Sequence, residues 1–228
     1  MREIVLDTET TGLDPLQGHR IVEIGAVELF NHIPTGNTYH AFINPQRDVP
    51  REAEAVHGLS SQFLKDKPIF SGIADEFLEF IGETVLIIHN ASFDVGFLNA
   101  ELGFLKRPPI LYERIIDTLT LAKKRHPMGP NSLDALCKRY GIDIAKRTKH
   151  GALLDSELLA SVYLELIGGR QIALTLPKAD NVRHLQIGNA PSQTKRTNSL
   201  PERITSEEKE RHETLVKSLG AAALWKST

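Results

Sequence analysis

Two carboxylates one residue apart, Asp7 and Glu9, close the apolar run Ile4-Val5-Leu6 and lead into Thr10-Thr11-Gly12. Alternate residues of a strand point to the same face, so this pair can aim together from the end of a buried strand. Two like charges so placed repel and raise each other's pKa unless something positive sits between them. A divalent cation held by oxygen ligands meets that need. The same residues also read as a strand ending in a polar turn, because Asp, Thr and Gly all suit turns. On this stretch alone the two readings stand level, and carboxylates elsewhere in the chain must decide between them.

Two more are placed where such a pair needs them. Asp94 follows the run Val85-Leu86-Ile87-Ile88 near the start of a helix, and Asp155 falls in the first turn of a helix over 152–167. Each alone has a structural explanation, since Asp stabilises helix N-termini. Together with Asp7 and Glu9 they make four carboxylates at strand ends and helix starts, which can converge on two metal ions. Such a pair stabilises the attacking and leaving oxygens of an in-line phosphoryl displacement. His150 precedes Asp155 by five residues in His150-Gly151-Ala152-Leu153-Leu154-Asp155. A histidine there can take a proton from water near neutral pH. Read singly it is one surface histidine among nine; beside Asp155 it makes one segment that carries both a base and a ligand.

These residues need a scaffold. Residues 3–7, 20–29 and 36–43 read as three strands of an antiparallel meander, with turns at Gly18 and Pro34-Thr35-Gly36. A loop with short helical pieces runs to Pro68. Ile73, Phe77, Leu78 and Ile81 recur at helical spacing up to Gly82. The continuous apolar run 85–88 predicts a strand buried on both faces. A helix through Leu98 and Leu102 follows, then a short strand at Ile115-Ile116. Helices near 118–124 and 132–140 come next, and helix 152–167 stops at Gly168-Gly169. Strands in a meander, then alternating with helices, predict a mixed sheet with helices on its faces.

The 228 residues suffice for one core with an appendage. The single cysteine excludes an intramolecular disulfide and a cysteine zinc site; Cys137 in Leu133-Asp134-Ala135-Leu136-Cys137 reads as a buried inert thiol. The chain opens directly into a strand, so no signal peptide is expected, and no apolar run approaches a membrane span. Residues 1–168 carry 17 Lys+Arg against 23 Asp+Glu, net −6, and the rest of the chain is net +4. The acidic part lacks the basic surface that grips long nucleic acid, so a polyanion handled there is a short piece offset by metal ions. Residues 178–200 read as a flexible polar linker. Thr205-Ser206-Glu207-Glu208 is a capping-box pattern that opens a helix over 206–219, with Trp225 beyond it. So short an apolar helix cannot form a core alone, and docking into a partner's groove is the favoured reading.

The stretches Asp7-Thr8-Glu9-Thr10-Thr11-Gly12, His89-Asn90-Ala91-Ser92-Phe93-Asp94 and His150 to Asp155 resemble, in order and spacing, the three motifs of the DEDDh exonuclease family. Asn131 to Cys137 and Lys146-Arg147 to Asp155 are similar, more narrowly, to the proofreading subunits of bacterial replicative DNA polymerases. The resemblance spans residues 2–170. It implies an α/β fold of the ribonuclease H-like type, a five-stranded mixed sheet flanked by helices over 1–170, with a flexible C-terminal tail. It implies two divalent cations, Mg²⁺ or Mn²⁺. Asp7, Glu9 and Asp155 would hold one; Asp7 and Asp94 would serve the other, Asp94 through water; His150 would be the general base. The implied activity is 3′→5′ removal of mispaired DNA termini as 5′-monophosphates. Glu52 and His57 are implied contacts of the terminal nucleotide, beside Asp7, Glu9 and Asp155. On its own chemistry, His57 in Val56-His57-Gly58 has an equal claim to a loop-fixing hydrogen bond.

The tail extends the resemblance. Residues 171–176, Gln171-Ile172-Ala173-Leu174-Thr175-Leu176, are similar to sliding-clamp-binding peptides; they also read as a frayed helix end. Residues 200–228 resemble the segment that binds the polymerase catalytic (alpha) subunit, which makes 171–200 the clamp peptide with its linker and 201–228 the polymerase-binding segment. A small theta-like accessory subunit is a further implied partner, and the implied compartment is the bacterial cytoplasm. Two rivals remain: a free-standing exonuclease on short RNA or DNA in repair or turnover, and an inactive scaffold. The linker and capped terminal helix weigh against the first, and the full set of Asp7, Glu9, Asp94, His150 and Asp155 against the second.

Overall fold

The computed structural model describes residues 1–145, 149–168 and 204–219. A five-stranded mixed sheet forms its centre, in the order β3-β2-β1-β4-β5. Strands β1 (Arg2–Thr10), β2 (Ile21–Phe30) and β3 (Ile33–Phe42) make the antiparallel meander. Strands β4 (Val85–Ile88) and β5 (Ile115–Asp117) run parallel to β1 on its other side. Helices α1 (Arg51–His57), α2 (Ser61–Leu64), α3 (Phe70–Ile81) and α4 (Ala91–Phe104) lie between β3 and β5 in sequence. Helices α5 (Thr118–Arg125), α6 (Leu133–Tyr140) and α7 (Ala152–Leu166) follow. Helix α8 (Ser206–Leu219) belongs to a second unit and is described by itself: Thr205 and Glu208 form the expected reciprocal cap, at 2.8 and 3.3 Å. Residues 146–148, the 171–176 peptide, the 178–200 linker and Trp225 lie outside the described residues.

Strand parity sorts the core into two layers. Ile4 and Leu6 of β1 and Leu86 and Ile88 of β4 face α3 and α4, where Phe77, Ile81, Val95, Leu98 and Leu102 are fully or nearly fully buried. Val5, Val27 and Ile87 face the opposite way, onto Leu159, Ala160 and Tyr163 of α7. Both faces of β4 are therefore covered, as its continuous apolar run requires. Cys137 is fully buried with Leu136 against Leu158 and Val162.

Two boundaries differ from the sequence reading. The hairpin between β2 and β3 turns at Asn31 and His32, not at Pro34-Thr35-Gly36. Both residues adopt positive φ, 51° and 67°, as a two-residue turn matched to strand twist demands. Pro34 is tolerated inside β3 because that strand is a sheet edge, and a register shift sits beside it. Strand β1 also runs on to Thr10, so Asp7 and Glu9 sit within paired strand rather than in a turn after it.

Candidate active site

Continued pairing of β1 settles which way each motif residue points. Asp7 and Glu9 share the parity of Val5 and face α7; Thr8 shares the parity of Leu6 and faces α4. On the α7 side, Asp7 stands opposite Gly25 of β2. A Cβ on Gly25 would lie 2.1 Å from the Leu153 nitrogen and 2.2 Å from the Ala152 carbonyl carbon. The missing side chain thus lets the first turn of α7 lie against the sheet beside Asp7. Ser156, fully buried, donates its hydroxyl to the Gly25 carbonyl at 2.9 Å and fastens that turn. Asp155, 3% exposed, is delivered to the same place.

His150 arrives with it. Its backbone N–H donates to the Val56 carbonyl at 3.3 Å, which ties the segment before α7 to α1. Lys149 Nζ lies 3.4 and 3.5 Å from the Glu54 and Ala55 carbonyls at the end of α1, where a cation suits the helix dipole. His150 Nδ1 stands 3.2 Å from Asp155 Oδ2. Ligand atoms of Glu9, His150 and Asp155 all fall within 4.8 Å of one another. Oxygen donors about 2.0–2.6 Å from one ion lie roughly this close together, so Glu9 and Asp155 fit a shared divalent cation with His150 at its side.

On the α4 side, Thr8 reaches Asp94. Its backbone N–H and its hydroxyl both donate to Asp94 Oδ1, at 3.0 and 2.7 Å. Asp94 is 3% exposed, and burial pushes its carboxyl up to about 7 against the pull of those hydrogen bonds. Asp7 is held well above the usual carboxylate range by burial, then by the charges of Asp94, Glu9, Asp155 and Glu23. Carboxylates crowded this way favour a bound cation as strongly as they disfavour their own ionisation. All five predicted residues are thus brought to the C-terminal half of β1.

A cavity of about 570 Å³ adjoins them, lined among others by Glu9, Thr11, Leu13, Glu52, His57 and Phe93. Glu52 and His57 both lie on α1. His57 uses its nitrogens differently: Nδ1 accepts the Leu59 backbone N–H at 3.0 Å, while buried Nε2 makes no hydrogen bond. Burial lowers its pKa, offset in part by the Thr10 backbone, so the imidazole is neutral near pH 7 with its proton on Nε2. The Nδ1 bond to Leu59 is the loop-fixing one, and Nε2 is buried beside the Thr10 backbone.

Sequence reasoning missed Thr8, Gly25 and Ser156. A signal existed for Gly25, because glycine inside an otherwise β-branched and aliphatic strand marks close backbone approach. None existed for Ser156, whose role depends on a partner 131 residues away.

The profile of the exonuclease family matches residues 4–163, which hold every motif residue above. The chain belongs to that exonuclease family. Among its relatives, the DNA polymerase III subunit epsilon of Rickettsia conorii is 51% identical over 216 residues, covering 93% of this chain and 94% of that protein. The protein of the same name from Escherichia coli K12 is 44% identical over 239 residues, covering 99% and 98%. Of solved structures, exonuclease X in complex with 5′-overhanging duplex DNA matches with a TM-score of 0.58 at 27% identity, over 72% of this chain and 90% of that one. The nuclease domain of 3′hExo, a DEDDh family member bound to rAMP, shares the fold with a TM-score of 0.63 at 16% identity, over 73% and 91%. DEDDh exonucleases are metal-dependent, in keeping with the donor set described here. Among the described residues, no helix is long and apolar enough to cross a membrane.

Proposed function

We propose that this chain is the 3′→5′ proofreading exonuclease subunit of a bacterial replicative DNA polymerase, acting in the cytoplasm. The observation that carries the reading is the convergence of Glu9, His150 and Asp155 within 4.8 Å, beside Asp7 and Asp94, in a chain whose near-full-length relatives bear the epsilon-subunit name.

Asp7, Glu9 and Asp155 would hold one divalent cation, and Asp7 with Asp94 a second, Asp94 through water. Two such cations, Mg²⁺ or Mn²⁺, would supply charge neutralisation at the phosphodiester and lower the pKa of the attacking water. The protein does the rest. With Nδ1–H directed at Asp155, His150 Nε2 is the nitrogen that accepts the proton of the attacking water. Water attacks the last phosphodiester, the 3′-oxygen of the penultimate nucleotide leaves, and a nucleoside 5′-monophosphate is released. The terminal nucleotide would occupy the cavity, with Glu52 and His57, both in its lining, as its contacts. A mispaired end frays more readily than a paired one, so part of the selectivity belongs to the substrate.

Residues 1–170 would form the exonuclease domain, and the tail its tether. Helix α8 within 200–228 would dock on the polymerase catalytic (alpha) subunit, residues 171–176 on the sliding clamp, and a small theta-like subunit on the domain. Tethering raises the local concentration of the exonuclease at the primer end, to roughly millimolar for short linkers.

The deciding experiment uses end-labelled DNA with a paired or a mispaired 3′ end, and RNA, with and without Mg²⁺ or Mn²⁺. Mononucleotides should leave the 3′ end of DNA, faster from the mismatch and only with metal. Absence of 3′-end release from DNA would remove this reading, and equal preference for RNA would move it to the free-standing alternative.

A further inference from the structure

Asp94 reaches the site on the first turn of α4, so whatever holds that turn holds Asp94. The turn starts from an awkward residue. Asn90, at its N-cap, has left-handed backbone (φ 66°, ψ 50°), and its side chain makes no capping bond. Two N–H groups there, of Asn90 and Ala91, are satisfied from another element. Asp117 ends β5, in parallel register with Ile88 at the end of β4. Its Oδ1 accepts the N–H of Asn90 at 3.1 Å and of Ala91 at 3.5 Å. The same oxygen accepts Leu119 N–H at 3.0 Å, and Oδ2 accepts the Thr120 hydroxyl at 2.6 Å. One carboxylate therefore caps two helices. Four donors keep it ionised despite its partial burial. Asparagine tolerates the left-handed region better than other non-glycine residues, but that backbone leaves its own N–H and that of Ala91 to be met from outside the helix. Asp117 meets both.

We propose that Asp117 is a positioning residue for Asp94: it braces the α4 N-terminus from β5, as the Thr8 bonds brace the Asp94 carboxylate from β1. The inference rests on Asp94 serving a metal ion, and deepens that reading by adding the group that aims it. Residues that orient a metal ligand typically change metal affinity or activity by about 10–100-fold when lost.

The test is Mn²⁺ titration of the full chain by calorimetry, without nucleic acid, alongside nuclease kinetics and thermal unfolding. Asp117→Ser keeps a good N-cap for α5 but, one bond shorter, loses the reach to Asn90 and Ala91. Asp117→Asn keeps an acceptor oxygen for all three N–H groups and loses the charge. Asp94→Ala gives the signal for complete loss of that arm. Expected are an Mn²⁺ affinity about 10-fold or more weaker in Asp117→Ser, a lower kcat at unchanged KM, and near-parental values in Asp117→Asn. Parental Mn²⁺ binding in folded Asp117→Ser would overturn the brace. So would an equal loss in the two variants, which would assign the effect to charge rather than to the cap. If the parent binds Mn²⁺ but does not degrade DNA, the functional reading fails while the Mn²⁺ comparison still decides the role of Asp117.

Discussion

Gly25→Ala is the smallest change that should pull Asp155 and His150 away from Asp7 and Glu9 while leaving all of them in the chain. The added Cβ would stand 2.1 Å from the Leu153 nitrogen, 2.2 Å from the Ala152 carbonyl carbon and 2.4 Å from the Ala152 oxygen. Non-bonded carbon needs roughly 3.5 Å, and the obstacles are backbone atoms that no rotamer change can remove. The first turn of α7 must therefore back away from β2 by about 1 Å, stretching the 2.9 Å Ser156–Gly25 bond and carrying Asp155 and His150 with it. A misplacement of about 1 Å at a catalytic constellation costs about 10²-fold in rate, whereas overpacking one methyl costs about 1–3 kcal/mol of stability. The variant should stay folded at moderate temperature and lose most of its turnover. Release of 5′-mononucleotides from 3′-labelled DNA measures the first quantity, and thermal unfolding the second. Activity within about threefold of the parent, in a protein whose fold is intact, would refute the claim that this contact sets the position of Asp155.

Three further outcomes follow from the same geometry. Asp94 has its carboxyl raised to about 7, so in metal-free protein it stays protonated when folded at pH values where the unfolded chain has already lost that proton; stability from this group is present in acid and declines as pH rises through about 7. Thermal midpoints in EDTA should therefore fall between mildly acidic and neutral pH, and Mn²⁺ should flatten the trend; a rise instead would show the sign to be wrong. Thr8→Val removes a 2.7 Å donor from Asp94, which raises that pKa further, so the pH needed for Mn²⁺ binding should move up by about one unit; an unmoved profile would mean that the hydroxyl does not tune Asp94. His150→Gln should reduce turnover by about 10²–10⁴-fold with Mn²⁺ binding largely kept; near-parental rates would assign the base elsewhere.

The clustered acidic residues and His150 were easier to read from the sequence than the contacts that support them. Acidic residues at strand ends and helix starts announce themselves, and the element pattern placed Asp94 and Asp155 at the starts of α4 and α7. The hairpin was misplaced because Pro34-Thr35-Gly36 is a turn by composition, whereas the register of β2 against β3 chooses Asn31-His32. The supports are long-range: Thr8 is 86 residues from Asp94, and Ser156 is 131 from Gly25. A hydrogen bond between distant residues leaves no periodicity in either segment. Only Gly25, as a side chain missing from a strand, leaves a local trace.

These supports give β1 its particular place in the molecule. It is the middle strand of five, covered on both faces, and it uses both. Asp7 and Glu9 meet the α7 segment, with Asp155 and His150, on one face. Thr8 meets α4, with Asp94, on the other. Period two in a strand makes this arrangement all-or-none: a slip of one residue in β1 would exchange Thr8 with its acidic neighbours and undo both halves at once. The register is held by pairing with β2 along the strand and with β4 from Glu3 to Val5, short of the carboxylates. From Asp7 onward β1 is therefore paired to β2 alone, and its free side is where α4, braced from β5, brings Asp94. The alternation Asp-Thr-Glu is then one device rather than a ligand pair with a spacer. Its outer members face α7 with Asp155 and His150, and the threonine between them draws in the carboxylate of the opposite layer.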